Sequence, residues 1–206
     1  MKDKENHTSL NWHFISVLLI FAVLILLMVL YMPTLREIDS ALLESVKKAL
    51  PPFFQYLPAI VAELTRNYYL LPLTVSGGIL VSHKYYLETF LLIFFTQATH
   101  PITQVLKDVV CRQRPAGVDY PGYSFPSHHA LTASCLYGIL IFLVIKHTYG
   151  FWRYFLVTIL SLLIIITALS RLVLGVHFPT DVLEGILFGL IMVNMFIILD
   201  RFFDKR

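Results

Sequence analysis

The sequence predicts an all-α membrane protein: a bundle of six transmembrane helices with a short amphipathic helix after the first. Three observations carry this. The chain is 57% hydrophobic and only 14% charged, whereas a soluble domain is nearer a quarter charged. Its mean hydropathy is +0.73. Its apolar residues also gather into runs of about 20, the length that crosses a bilayer. No repeat, low-complexity tract or second domain interrupts the pattern, so residues 1–206 read as one six-span domain.

Span 1 covers about 12–32. Its stretch FISVLLIFAVLILLMVLYM has Ser16 as its only clearly polar residue. A signal-peptide core is shorter and ends at a small-residue cleavage site; this run ends in Tyr31-Met32-Pro33 and reads as a retained span. In residues 34–50, Leu35, Ile38, Leu42, Val46 and Leu50 recur at helical spacing opposite Glu and Lys. Two placements fit that amphipathic pattern, a helix lying on the membrane surface or a linking helix packed on the bundle. Span 2, about 56–81, contains Glu63 and Arg66, spaced to pair on one helix face. Span 3, about 85–106, contains Glu88, His100 and Pro101, the last a kink signal. Residues 107–126 are polar and rich in Pro and Gly, hence a loop. Span 4 runs from Ser127 to about Ile145, span 5 covers about 154–170 and span 6 about 179–199, with KHTYGFWR as the turn between spans 4 and 5.

Net charge is +3 and no Lys/Arg tract occurs, which argues against a nucleic-acid partner. No obligatory protein partner is implied; the partners expected are the bilayer and a substrate within it. Cys111 and Cys135 lack metal-ligand spacing, and Asp108, Asp119 and Asp181 are scattered, so neither metal nor cofactor is expected. Six spans place both termini on one side and the breaks after spans 1, 3 and 5 on the other. With the candidate site cations set aside, Lys and Arg are in excess on the side of the termini. The expectation is a multi-pass cell-membrane protein with cytoplasmic termini and its charged breaks outside.

Three polar clusters fall on that outer face. In KDVVCRQRP, Lys107 and Arg114 are seven apart. On a helix that is nearly two turns, about 10 Å of backbone, so both side chains point the same way. Together they suit phosphate oxygens, one as a point charge and one as a planar fork; alone, basic residues at a span end ordinarily snorkel to headgroups. In FPSHHAL, Pro126 and Ser127 start a long helix whose free amides form an anion site, with His128 and His129 next; alone, this is a plain helix start. In SRLVLGVHFPTD, Arg171 closes span 5, and His177 and Asp181 flank the mouth of span 6. A carboxylate beside an imidazole fixes its tautomer and supports its charged form; alone, the pair reads first as a structural hydrogen bond. On one face, the three clusters permit metal-free phosphoryl transfer. Cations hold the oxygens, one His attacks phosphorus, and another protonates the leaving oxygen.

These residues resemble a known signature. Lys107-x6-Arg114-Pro115, Pro126-Ser127-x-His129 and Ser170-Arg171-x5-His177-x3-Asp181 are similar to the three motifs of the type 2 phosphatidic acid phosphatases. That family includes bacterial phosphatidylglycerophosphatase B enzymes and is related to vanadium haloperoxidases. The resemblance implies a lipid phosphate phosphatase needing no metal, its site facing away from the cytoplasm. It implies His177 as the nucleophile forming a phosphohistidine, Asp181 as its orienting partner, and His129 as the proton donor. Lys107, Arg114, Ser127 and Arg171 are implied as phosphate ligands. His128 stands where the family usually has Gly, so it too is a candidate substrate-binding residue, and Glu184 is a candidate supporting group. The substrate expected first is phosphatidylglycerol phosphate. Undecaprenyl diphosphate is the alternative, and a lipid-phosphate carrier is the rival from another class.

Overall fold

The computed structural model describes residues 16, 20, 35–49 and 70–204. The expected span 1, residues 56–69 of span 2 and the Glu63–Arg66 pair lie outside the described residues. The described chain is all-helical: α1 (35–49), α2 (Leu70–Ser82), α3 (Tyr86–Val110), α4 (His128–His147), α5 (Gly150–Val173) and α6 (Pro179–Asp204). By length and composition, α4, α5 and α6 can cross a membrane.

α3 is long enough at 25 residues but more polar, and the reason is where its polar residues point. Glu88, Thr89, Thr96, Thr99, Thr103 and Lys107 are buried, while Phe90, Phe94, Val105 and Val109 are exposed. The 3–4 spacing of the buried set defines one helix face. The buried face is mixed, because Leu91, Leu92, Phe95 and Leu106 are buried with these polar residues. It suits a hydrocarbon surround, where inward hydroxyls bond one another and neighbouring helices. The Thr99 and Thr132 hydroxyls lie 2.9 Å apart, and Thr103 Oγ1 donates to the Thr99 carbonyl at 2.7 Å. Helix α3 continues through Pro101.

α4 packs against α3, α5 and α6. Its seam with α6 is close because small residues meet there. A Cβ on Gly189 would lie 2.6 Å from Ser134 Cβ and 2.8 Å from the Leu131 carbonyl oxygen; on Gly185 it would lie 2.7 Å from the Ser127 carbonyl oxygen. Backbone contact of this kind holds helices together in lipid, where the hydrophobic effect gives little. Gly189→Leu is therefore expected to cost about 1–3 kcal/mol by overpacking, read as a lower thermal midpoint in detergent. An unchanged midpoint would contradict the close seam.

The amphipathic segment packs against the bundle through one side, while Ile38 and Leu42 of its apolar stripe remain exposed. Asp39 and Leu43 of α1 are buried, and Leu43 joins Ala130, Ala168, Leu172, Phe178 and Val182 in a small apolar cluster. α1 thus covers the end of the bundle where α5 turns into α6. At the other end, Lys146 pairs with Glu88 at 2.8 Å and Asp200 at 2.9 Å, and His147 Nε2 lies 2.8 Å from Glu88, linking α3, α4 and α6. Tyr149, Phe151, Trp152 and Tyr154 open α5 exposed, as aromatic residues do at a membrane–water interface.

Candidate active site

Lys107 occupies the last turn of α3, which ends at Cys111 in the left-handed conformation. The loop that follows folds back on itself, with the Ser124 amide donating to the Arg112 carbonyl at 2.8 Å. It then enters α4 through Ser127, which caps the helix by accepting from the Ala130 amide. Ser127 also fixes α4 to α6, its own amide donating to the Asp181 carbonyl at 3.0 Å. The α5–α6 connection turns at Gly175, whose φ of +67° few side chains tolerate. That turn delivers His177 to the mouth of α6.

Arg114 joins the two connections. Its guanidinium donates to the Gly122 carbonyl at 3.0 Å and the Pro121 carbonyl at 3.2 Å in its own loop. Across the site it donates to the Val176 carbonyl at 2.7 Å, and it lies 4.5 Å over the Tyr120 ring. Lys107 Nζ donates to the Tyr123 carbonyl. Arg171 is buried and donates through Nε to Ser170 Oγ at 3.1 Å; its Nη2 has no hydrogen-bond partner among the described residues.

His177 is 4% exposed and Asp181 fully buried. His177 Nδ1 lies 3.7 Å from Asp181 Oδ2, adjacent to it but beyond hydrogen-bond distance. That carboxylate is held by other donors, the Phe178 amide at 2.9 Å on Oδ2 and Arg112 Nη1 at 2.5 Å on Oδ1. Burial holds the His177 imidazole below the ordinary histidine range; Asp181 opposes this, and Arg114 and Lys107 add to it. Burial likewise lowers Arg114. His129, half-buried in the first turn of α4, lies within electrostatic reach of Arg171, His177 and Lys107. The sequence-predicted cations, Ser127, His129, His177 and Asp181 therefore gather at one end of the bundle.

His128 turns toward α3. Its Nδ1 lies 3.3 Å from Thr103 Oγ1 and 3.4 Å from Thr132 Oγ1, and its ring centroid 5.5 Å from that of His100. It borders the site from the side of that buried hydroxyl stripe. Glu184 Oε2 is buried without a hydrogen-bond partner among the described residues.

Sequence reasoning missed Arg112, Asp39 and Thr180. Buried Arg112 bridges Asp181 and Asp39, at 2.5 Å to each, and donates to Thr180 Oγ1 at 2.7 Å. The Thr180 amide donates to Asp39 Oδ1 at 3.2 Å. The one available signal was that Arg112 shares the KDVVCRQRP stretch with Arg114.

Among the described residues no three His, Cys, Asp or Glu side chains are grouped to hold a metal ion. The donor set is of a kind that suits an oxyanion. It combines buried cations with unused donor capacity, a capped helix start, and two imidazoles, one of them beside a carboxylate.

The sequence model of the PAP2 superfamily matches residues 85–204, and the chain belongs to that superfamily. It is 29% identical over 188 residues to phosphatidylglycerophosphatase B of Bacillus subtilis (strain 168), covering 86% of this chain and 90% of that one. It is 40% identical over 93 residues to decaprenylphosphoryl-5-phosphoribose phosphatase of Mycolicibacterium smegmatis, covering 42% of this chain and 46% of that one. Among solved structures it resembles the first transmembrane PAP2 type phosphatidylglycerolphosphate phosphatase from Bacillus subtilis. There the TM-score is 0.77 at 24% identity, over 91% of this chain and 96% of that one. It also resembles Aquifex aeolicus LpxE, with a TM-score of 0.60 at 25% identity over 76% of this chain and 93% of that one.

Proposed function

We propose that this protein is a lipid phosphate phosphatase that works without metal through a phosphohistidine. The observation that carries the reading is the geometry at His177: a buried imidazole beside a buried carboxylate, with Lys107, Arg114 and Arg171 gathered at the same end of the bundle. An imidazole so placed attacks phosphorus. The cations hold the phosphoryl oxygens as charge shifts in the transition state. Asp181 supports the positive ring formed when phosphorus bonds to it. His129 gives its proton to the leaving alcohol, then takes one from the water that attacks phosphorus and releases phosphate from His177. Ser127 and the α4 amides add donors to the phosphate, and His128, its ring turned to Thr103 and Thr132, borders the headgroup from the side of α3. The whole chain is read as one six-span domain of the cell membrane, with cytoplasmic termini and the site outside.

A lipid suits the surroundings of the site. An apolar groove of about 410 Å³ runs between α3 and α6, lined by Ile102, Val105, Leu106, Phe188, Ile191 and Met195 among others. Leu106 precedes Lys107, and Phe188 lies about 10 Å along α6 from Asp181. A hydrocarbon chain reaches this groove while its phosphate stays with the cations. Val105→Trp is expected to raise KM for a long-chain lipid phosphate and leave hydrolysis of a soluble aryl phosphate unchanged. Equal losses on both would contradict the assignment.

Phosphatidylglycerol phosphate is the substrate proposed, supported by likeness to the Bacillus subtilis phosphatidylglycerophosphatase over most of both chains. A polyprenyl substrate such as undecaprenyl diphosphate is the second reading, favoured by the likeness to the decaprenyl-linked phosphatase. Phosphate release by purified protein in mixed micelles tests both, with His177→Ala as the blank. Highest kcat/KM on phosphatidylglycerol phosphate supports the first, highest on undecaprenyl diphosphate the second. Lipid movement between vesicles that persists in His177→Ala would favour a carrier over both. Excess EDTA is expected to leave the rate unchanged; collapse with EDTA and return with magnesium would contradict the metal-free mechanism.

A further inference from the structure

We propose that Asp39 and Arg112 are positioning residues that orient and balance the charge of Asp181, so that α1 forms part of the working site. The inference rests on the phosphohistidine reading. The three side chains form a buried series across three segments distant in sequence, with Arg112 2.5 Å from Asp39 and 2.5 Å from Asp181 and all three at most 4% exposed as side chains. Arg112 lies over the Phe178 ring at 4.4 Å, so its plane is fixed between the two carboxylates. Asp39 is fixed in turn by the Thr180 amide and hydroxyl.

Arg112 binds Asp181 through Oδ1. That leaves Oδ2 for the Phe178 amide and, at 3.7 Å, His177. The guanidinium therefore sets which carboxylate oxygen faces the ring. It also withdraws negative charge from the group that must support a positive phosphohistidine. Asp39 shares that guanidinium, and its negative charge limits the withdrawal. Removing Asp39 gives Asp181 the whole cation, and removing Arg112 gives it none. A bare Arg–Asp pair would hold the geometry but depress the carboxylate further. The Asp39–Arg112–Asp181 series carries one net negative charge and keeps Asp181 effective.

The two deletions consequently push His177 in opposite directions. Its other charged or titratable neighbours are Arg114 in the loop, Lys107 on α3, and His128 and His129 on α4; all are unchanged in these variants. Asp39→Asn weakens the support Asp181 gives the protonated ring, so the acid limb of kcat/KM moves to lower pH. Arg112→Gln strengthens that support and moves the limb to higher pH, while the lost orientation lowers kcat.

The experiment is a pH–rate profile of Asp39→Asn, Arg112→Gln and the double variant on one soluble and one lipid phosphate, with alkaline-quenched His177 phosphoenzyme measured in parallel. The expected result is a fall in kcat of about 10–100-fold, as for groups that orient metal ligands. KM should be nearly constant, the single variants should shift oppositely in pH, and Asp39→Asn should add nothing to Arg112→Gln. Wild-type kcat and an unmoved acid limb in Asp39→Asn overturn the proposal, and that near-isosteric variant decides alone if Arg112→Gln does not fold. Loss of activity matched by loss of the folded fraction, with the pH profile unmoved, also overturns it. A wild-type protein forming no phosphoenzyme at His177 identifies failure of the underlying reading instead.

Discussion

Replacing His177 with alanine is expected to lower kcat by at least about 10⁴-fold, the scale on which covalent catalysis fails without its nucleophile. The ring does not hold the fold together. Its Nδ1 makes no hydrogen bond among the described residues, and Asp181 keeps Arg112 and the Phe178 amide without it. Folding should therefore survive, as judged by elution from a sizing column and by thermal midpoint. A variant that folds and retains a tenth of wild-type turnover would remove His177 as nucleophile. The same residue sets a pH expectation. Because burial holds its folded-state pKa below the ordinary value, the acid limb of kcat/KM should lie below the usual histidine range. The sign for stability agrees. Burial favours the neutral ring, so its contribution is full above the unfolded pKa and is lost as pH falls through the folded one. An acid limb above the ordinary histidine value would contradict this.

His129→Ala is expected to cost about 10²–10⁴-fold on a lipid substrate, the usual contribution of a positioned general acid. The loss should depend on the leaving group. An alkoxide needs a proton as the P–O bond breaks, and a nitrophenolate does not. The ratio of variant to wild-type rate should therefore recover toward unity as the leaving alcohol becomes more acidic. Equal losses across the series would assign His129 to binding. His128→Gly, in contrast, should change the rate on both kinds of ester by a similar modest factor, since its ring is turned to Thr103 and Thr132.

The gathering of the site was legible in the sequence because each part sits in a polar break beside an apolar run. Lys107, Arg114, Ser127, His129, Arg171, His177 and Asp181 are conspicuous for that reason, and helix parity placed them on one face. The starts of α4 and α6 follow from the same contrast, whereas α6 runs past the expected 199 to Asp204. Arg112 and Asp39 were not legible. In KDVVCRQRP three cations lie within eight residues, and spacing does not say which one turns inward. Asp39 is one acidic residue on an amphipathic helix, where charge ordinarily faces water. Only the packing of α1 over the α5–α6 turn makes Arg112 its partner, a contact between residues 73 positions apart. α3 was legible as a span, but not which of its polar residues turn inward: its threonines lower its hydropathy, yet they are buried together with Leu91, Leu92, Phe95 and Leu106.

The most direct test of the central claim is the site of the covalent intermediate. Protein mixed with substrate in excess EDTA and quenched in alkali should carry one phosphoryl group on His177, formed and lost at rates consistent with kcat, and none in His177→Ala. A phosphoryl group on any other residue, or steady turnover with no phosphoenzyme accumulating even in His129→Ala given a good leaving group, would contradict the account.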